Sequence, residues 1–489
     1  MGFRRAIGLT ALGTILPGAG LTQTRSKRLG WVLLGIAVAV GVVGAYFLLT
    51  RGTITTALDL VSRPALVQAL GIGFAVCGLI WCLSIALTAI RARPPRLDRG
   101  RTQVLTAFTT VMVLLIAGLS YKVAEYTTVT KNTVQSVFAQ DPSLPNAGAK
   151  VVEGDDPWKD TPRVNILLLG SDAGVGREGT RTDSMVVASI DTKTGKTVLI
   201  SLPRNLQNVP LPPASPLRGL YPSGVYGQPV CFRAQLDPAD ECMLNAIWME
   251  VDQYVTDHPD AYRGEAAPGR HEVRDVIGEI LGLKIDHTVV VDLKGFQQLV
   301  DTMGGVNINV KLSGNGTPLP IGGHSDGRGH VTGVVGYFTA GYQHLSGYYA
   351  LWYARTRAAD DDFFRQQRQR CVLRALIEQV NPGAMVTKYA EVAKIAQDNI
   401  FTDIPASNLP AFVDLIQRVQ RATIASVALT PATGINPGNP DYPLLRKLVD
   451  KAIHPPKPTP KPTSPSTSTG PTTPTPSPTT STPPVDECA

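Results

Sequence analysis

Three long stretches in the first quarter of the chain, Leu29 to Thr50, Ala65 to Ile90 and Val104 to Tyr121, contain no Asp, Glu, Lys or Arg. A helix rises about 1.5 Å per residue and roughly 20 residues cross the hydrocarbon core of a bilayer, so each stretch is read as a spanning helix. The last is the shortest and draws in Lys122 and Val123, with the lysine snorkelling to the interface. Arg25, Lys27 and Arg28 precede the first stretch, and Arg91, Arg93, Arg96, Arg99 and Arg101 fill the loop between the second and third. Clustered basic residues stay on the cytoplasmic side, so three crossings place everything after about Glu125 outside the cell. The expected protein is multi-pass in the cell membrane, with its main domain extracytoplasmic. An earlier apolar stretch, Ala6 to Thr22, is interrupted by Pro17, Gly18 and Gly20. It reads as interfacial or re-entrant rather than as a fourth crossing or a cleaved signal peptide, because the later spans already account for export.

The remainder is ordinary globular sequence: with 43% hydrophobic and 17% charged positions over 489 residues, the chain is neither wholly membrane nor wholly disordered. The expected organisation is residues 1–126 as cytoplasmic N-terminus and three transmembrane helices, 127–162 as a polar extracellular stalk, 163–454 as the folded domain, and 455–489 as a disordered Pro/Thr/Ser tail. The tail serves reach or glycosylation, or is simply solvated. The net charge of +7 is shared among the membrane-flanking arginines, an arginine-rich motif and the tail lysines, and gives no basis for a nucleic-acid partner. Cys77 and Cys82 fall within a span, whereas Cys231, Cys242, Cys371 and Cys488 would face an oxidising compartment. Cys231 and Cys242 are near enough in sequence to staple a loop, and a disulfide is expected there.

Within the domain, Val164 to Leu169 suits a buried strand, and Met185 to Asp191 and Lys196 to Leu202 form a hairpin around Thr-Lys-Thr-Gly. Arg274 to Leu283 has helical periodicity, Thr288 to Val291 reads as a strand, Leu293 to Met303 as a helix stopped by Gly304 and Gly305, and Val306 to Val310 as a strand. Phe363 to Val380, Ala384 to Asp398 and Ala406 to Gln420 read as helices. Alternating strands and helices imply an α/β domain with helices layered on a sheet.

Gly174, Gly176 and Gly179 spell G-x-G-x-x-G after a strand, but a dinucleotide site needs that motif to open a helix, and here it runs into Arg-Thr-Asp and another strand. A flexible loop over a site is the better reading. His324 and His330 sit in a glycine-rich loop and read as solvated rather than as metal ligands. The hairpin is more informative. With its turn centred between Lys193 and Thr194, paired residue numbers sum to 387 and Asp183 lies opposite Arg204. Asp172 sits just past the preceding strand, and an antiparallel neighbour brings it to the same sheet end. An isolated Asp–Arg pair would be a salt bridge closing the sheet edge. Further arginines change that reading. Arg355 and Arg357, two apart, point the same way in extended chain, and Arg365, Arg368 and Gln369 share one face of the following helix. Arg370 and Arg374 fall on other faces, and Asp360, Asp361 and Asp362 favour the helix N-terminus. Clustered guanidinium forks call for phosphate oxygens, and two carboxylates suit Mg2+ held jointly with substrate phosphates. The chemistry expected is phosphoryl transfer.

Ordered segments carry a resemblance to a known family: N-I-L-L-L-G-S-D at Asn165 to Asp172, R-T-D-S-M at Arg181 to Met185, S-L-P-R at Ser201 to Arg204, L-N-A at Leu244 to Ala246, I-D-H-T-V-V-V-D-L-K-G-F at Ile285 to Phe296, L-V-D-T-M-G-G-V at Leu299 to Val306, and H-L-S-G with Y-A-R-T-R up to Arg357. The chain resembles the LytR-CpsA-Psr family. The resemblance implies a three-layer α/β/α domain with a mixed central sheet and a groove for a polyprenyl chain. It implies a phosphotransferase that moves a glycopolymer phosphate from an undecaprenyl- or decaprenyl-pyrophosphate carrier to the muramic acid 6-hydroxyl of peptidoglycan, with magnesium. By motif, Asp172 and Asp183 match the metal and catalytic aspartates, one of them also a candidate proton acceptor. Arg204, Arg355, Arg357, Arg365 and Arg368 match the pyrophosphate-binding arginines, Arg204 a catalytic one, and Gln369 a polar residue of the same motif. The lipid walls are expected from Ile277 to Leu283 and Leu293 to Val300. Asn205, Tyr348 and Arg370 depart from the residues usual in the family, and three spans stand where one is common. A lipid pyrophosphatase and a noncatalytic envelope sensor or transcriptional attenuator are the alternatives.

Overall fold

A computed structural model describes residues 2–51, 63–95, 97–137, 148–152, 156–171, 182–236, 241–325, 331–380, 388–455 and 488. The chain divides into two compact units, Met1–Gln140 with Lys388–Asp414, and Asp141–Thr387 with Leu415–Ala489. The folded domain expected at 163–454 therefore gives residues 388–414 to the first unit.

The first unit holds helices α1 (Phe3–Ile15), α2 (Lys27–Arg51), α3 (Pro64–Ala92) and α4 (Arg99–Val137). Among the described residues three helices are long and apolar enough to cross a membrane, over Lys27–Tyr46, Ala65–Ala92 and Arg99–Thr133. Helix α1, of 13 residues, reaches only about 20 Å and is too short to do so. It is pinned to α3 through Trp81, whose Nε1 donates to the Gly13 carbonyl at 2.9 Å. A Cβ at Gly71 or Gly78 of α3 would run into Thr127 or Ser120 of α4, so small residues set this close helix approach. The third stretch, expected to be the shortest, lies in the longest helix, 39 residues, which continues to Val137 through residues read as stalk. No Gly or Pro interrupts Tyr121 to Val137, and the helix Tyr389–Asn399 packs along α4. That packing outweighs the weak helix propensity of its threonines and valines. The helices expected at Ala384 and Ala406 begin at Tyr389 and, after a 3-10 turn, at Leu409. Positions 384–387 are outside the described residues.

The second unit runs β1 (Arg163–Ser171), β2 (Thr182–Asp191), β3 (Thr197–Ser201), α5 (Ile247–Asp257), α6 (Pro268–Leu281), β4 (His287–Asp292), α7 (Leu293–Met303), β5 (Val306–Val310), β6 (Pro320–Ser325), β7 (Val331–Tyr337), β8 (Gly341–Leu345), α8 (Gly347–Arg355), α9 (Asp362–Gln379), β9 (Ile424–Ala428) and α10 (Tyr442–Ile453). Its central sheet has the order β9-β3-β2-β1-β4. The β1-β2 and β2-β3 pairs are antiparallel, while β4 and β9 lie parallel to their neighbours, which makes the sheet mixed. The β2-β3 register pairs Val186 with Ser201 and Ile190 with Thr197, both at the expected sum of 387. Small ribbons β5-β8 and β6-β7 are antiparallel.

Period-two alternation gives the sheet two different faces. Leu167, Leu169, Met185, Val187 and Ile200 enter a core with Val251, Val273, Ile277, Leu445 and Val449 of α5, α6 and α10. On the other face Leu168, Val186, Val289 and Val291 look into a cavity shared with α7, α8 and α9. Helices on both faces make three layers, α/β/α. Helix α7 has the bounds its sequence predicts: Asp292 caps it by accepting from Gly295 N at 2.6 Å, and Gly304 at φ 92° and Gly305 at φ 88° stop it. Helix α6 starts earlier than expected, at Pro268, whose fixed φ opens a helix well.

The expected Cys231–Cys242 disulfide is present, with Cα atoms 5.6 Å apart. A second one joins Cys371 of α9 to Cys488 at a Cα separation of 5.4 Å. The segment expected as a disordered tail lies, at positions 456–487, outside the described residues, but the cysteine that follows it is covalently tied to α9.

Candidate active site

Asp183 owes its position to an irregularity in the ladder. Gly170 pairs with Ser184 and Ser171 with Thr182, so Asp183 is the extra residue of a β-bulge, a device that re-aims a side chain. The S-L-P-R turn after β3 carries Arg204 back toward it. Leu202 N donates to Met185 O and Asn245 N to Arg204 O, each at 3.0 Å, fixing the turn from both sides. Arg204 Nη1 then donates to Asp183 Oδ1 at 2.7 Å, the pairing the hairpin register predicts. Burial alone would raise the Asp183 pKa, but Arg204, Arg365 and Arg357 together hold it below the ordinary value of 3.8.

The sheet face, α7, α8 and α9 enclose a cavity of about 280 Å³. Its walls are apolar, with Leu168, Val186, Val291, Phe296, Leu351 and Leu376 among them, and Asp183, Arg355, Arg357, Arg365 and Gln369 also line it. Arg365 is 4% exposed and pairs with Asp362 at 2.8 Å, yet its Nε has no hydrogen-bond partner. Burial pushes the Arg365 pKa down to about 10, so the guanidinium remains charged at neutral pH. Burial and neighbouring Arg204 also lower Arg357. Gln369 accepts from Ser184 Oγ at 3.2 Å and donates to Ala354 O at 3.3 Å, tying α9 to β2 and α8.

Some expected residues fall outside the described segments, and others stand elsewhere than expected. Asp172 and the loop with Gly174, Gly176 and Gly179 lie outside the described residues, as does His330. Arg355 is the last residue of helix α8 rather than part of an extended run with Arg357, although both reach the cavity. Arg368 does not line the cavity: it bridges Asp360 at 3.0 Å, donates to Tyr353 O at 2.9 Å, and also bonds Thr356 O. Its ion pair is buried, with side chains 6% and 2% exposed, so Arg368 builds the α8–α9 corner. Arg370, read as solvated, is buried. Ile277, Ile280 and Leu281 belong to the core on the far side of the sheet, whereas Leu293 and Phe296 do face the cavity. The acidic run does more than favour a helix dipole: Asp361 caps α9 by accepting from Phe363 N at 2.9 Å, Asp360 holds Arg368, and Asp362 lies 3.6 Å from Arg204 as well as on Arg365. Asp362 is a site residue that sequence reading missed; its i, i+3 spacing to Arg365 was the available signal.

Among the described residues no three His, Cys, Asp or Glu side chains gather as a metal cage. Magnesium needs less when a substrate brings phosphates, since one or two carboxylates suffice. The ionised Asp183 beside guanidinium groups fits that donor set.

The LytR_cpsA_psr family profile matches residues 120–452. The chain is 26% identical over 302 residues to the polyisoprenyl-teichoic acid–peptidoglycan teichoic acid transferase TagU of Oceanobacillus iheyensis, covering 61% of this chain and 76% of that one. It is 26% identical over 247 residues to the corresponding transferase TagV of Bacillus subtilis, covering 49% of each. Among solved structures it resembles B. subtilis TagV at 24% identity and a TM-score of 0.39, covering 60% of this chain and 96% of that one. It also resembles a LytR-CPS2A-psr family protein with bound octaprenyl pyrophosphate lipid, at 18% identity and a TM-score of 0.36, covering 64% and 96%.

Proposed function

The chain belongs to the LytR-CpsA-Psr family, as its match over residues 120–452 shows, and from that premise we propose that this transferase moves a glycopolymer phosphate from a polyprenyl-pyrophosphate carrier to the muramic acid 6-hydroxyl of peptidoglycan. The observation that carries the reading is an apolar cavity that shares its lining with Asp183 and three arginines, one of them the buried Arg365 with an unpartnered Nε. A prenyl chain fills the apolar part, and the pyrophosphate meets Arg204, Arg355, Arg357 and Arg365. Named relatives act on polyisoprenyl-linked teichoic acid and peptidoglycan, which agrees with this assignment of donor and acceptor classes.

In the proposed step the acceptor hydroxyl oxygen attacks the polymer-side phosphorus, its proton passes through the Asp183 carboxylate to solvent, the bond to polyprenyl phosphate breaks, and polyprenyl phosphate leaves with the bonding electron pair. The guanidinium groups neutralise the charge spread over the phosphoryl oxygens, where positioning and electrostatics supply most of the rate. A loose transition state asks little of a base. That suits Asp183, a weak base that places the reacting groups. Asp183 and Asp172 would hold a magnesium ion, which would add charge neutralisation at the pyrophosphate. The three apolar helices would keep the domain at the outer membrane face where a lipid carrier resides.

The test is reconstitution of the full chain in nanodiscs with lipid-linked glycopolymer and peptidoglycan. Polymer covalently attached to muramic acid, with release of polyprenyl phosphate, is expected. Polymer phosphate freed without attachment would overturn the transferase reading in favour of a lipid pyrophosphatase.

A further inference from the structure

An unbroken series of edge-to-face rings leads from the β7–β8 connection to the cavity. Phe338 meets Tyr349 at a centroid distance of 6.4 Å, Tyr349 meets Tyr348 at 5.4 Å, and Tyr348 meets Trp352 at 6.4 Å. The Arg355 guanidinium then sits 5.9 Å from the Trp352 ring centroid, and Arg355 lines the cavity. The anchor of the series is buried, with Phe338 3% exposed, while Tyr348 and Tyr349 are 39% and 44% exposed. Helical spacing explains the layout: Tyr348, Trp352 and Arg355 recur at i, i+4 and i+7 on one face of α8.

We propose that this aromatic strip is a carbohydrate platform that seats the β-linked hexopyranose strand of the acceptor next to the pyrophosphate site. Three features choose that occupant. First, between residues 331 and 352 the exposed large apolar side chains are four tyrosines, Tyr337, Tyr342, Tyr348 and Tyr349, against a single aliphatic one, Val335. A lipid-facing patch would carry aliphatic groups, whereas tyrosine pairs an apolar ring with a hydroxyl, matching a sugar with its C–H face and equatorial hydroxyls. Second, the electron-rich ring faces attract polarised C–H groups. A polyol phosphate chain has no flat C–H face to offer them. Third, the strip is continuous with the site through Arg355, so a strand lying on it delivers a hydroxyl to the end of the cavity where the guanidinium groups stand. The platform rests on the transferase reading for its acceptor, but its binding is measurable without turnover.

The experiment titrates the full chain in nanodiscs with a β-1,4-linked N-acetylglucosamine tetrasaccharide, read by tryptophan fluorescence and by calorimetry. Saturable binding is expected, weakened about tenfold in Tyr348→Ala and in Tyr349→Ala, and retained in Tyr348→Phe. Wild-type affinity in both alanine variants, or no binding to the wild-type protein, overturns the platform. So does loss, in those variants, of binding to anionic phospholipid vesicles while tetrasaccharide binding stays intact, which would make the strip a membrane contact. If the tetrasaccharide binds through the strip and no polymer is ever transferred, the transferase reading fails and the platform stands. If polymer is transferred and tetrasaccharide binding is intact in both alanine variants, the platform fails and the transferase reading stands.

Discussion

At the scale of single residues, the site turns on the charge state of Asp183. Its pKa lies below 3.8, because Arg204, Arg365 and Arg357 outweigh the cost of burial. A depressed carboxylate contributes stability that is present above its unfolded value and lost as pH falls through the folded one. Transfer activity is therefore expected to persist as pH falls into the ordinary carboxylate range, with its acid limb on the low side of that range, and Arg204→Ala should move that limb upward in a pH–rate profile. An unmoved limb would show that Asp183 does not set it. Asp183→Asn should lower the transfer rate by about 10²–10³-fold with donor binding retained, the size seen when one preorganised charge is removed. Arg368→Met should behave differently. It leaves Asp360 buried without its partner, so the expected loss is about 3–5 kcal/mol of stability, read by denaturant unfolding. The sequence shows Arg365 and Arg368 on one helix and cannot separate them. Which of them faces the cavity depends on whether Asp360 or Asp362 receives it, and that is decided by the turn between α8 and α9.

At the scale of elements, local rules fix much of what the structure contains. The bounds of α7, the β2-β3 register and the Cys231–Cys242 staple follow from capping, turn placement and loop length. The facing of Asp183 and Arg204 was legible in the hairpin register, but the bulge at Asp183 was not, because it arises from pairing with β1 rather than from β2 itself. The wall assignment on α6 failed for a related reason: an amphipathic helix announces an apolar face, and only the crossover connections decide which side of the sheet receives it. On the cavity side, Val289→Trp of β4 should fill the apolar space, raise the donor KM at least tenfold and leave the melting temperature within a few degrees. Gly347 opens α8 against α7, where its N–H donates to Asp301 at 2.6 Å and a Cβ would strike the Gln297 carbonyl. Gly347→Ala should therefore displace α8, lowering both stability and donor affinity. An unchanged donor affinity would show that α8 does not position the arginines.

At the scale of the whole molecule, composition and basic-residue placement identify the three apolar helices, while their lengths depend on tertiary partners. Helix α4 outruns its apolar stretch because a distant segment, Tyr389–Asn399, packs along it. A topology reporter fused after residue 150 should report an extracytoplasmic location, and a cytoplasmic signal there would remove the domain from the side where the wall lies. The Cys371–Cys488 bond has a different outcome. It makes the chain from α9 through β9 and α10 a covalent ring, so a protease that nicks the Pro/Thr/Ser segment opens the ring without shedding anything. Nicked molecules should keep every residue, gaining only the water of hydrolysis, until a reductant is added, and only then release the short peptide that carries Cys488.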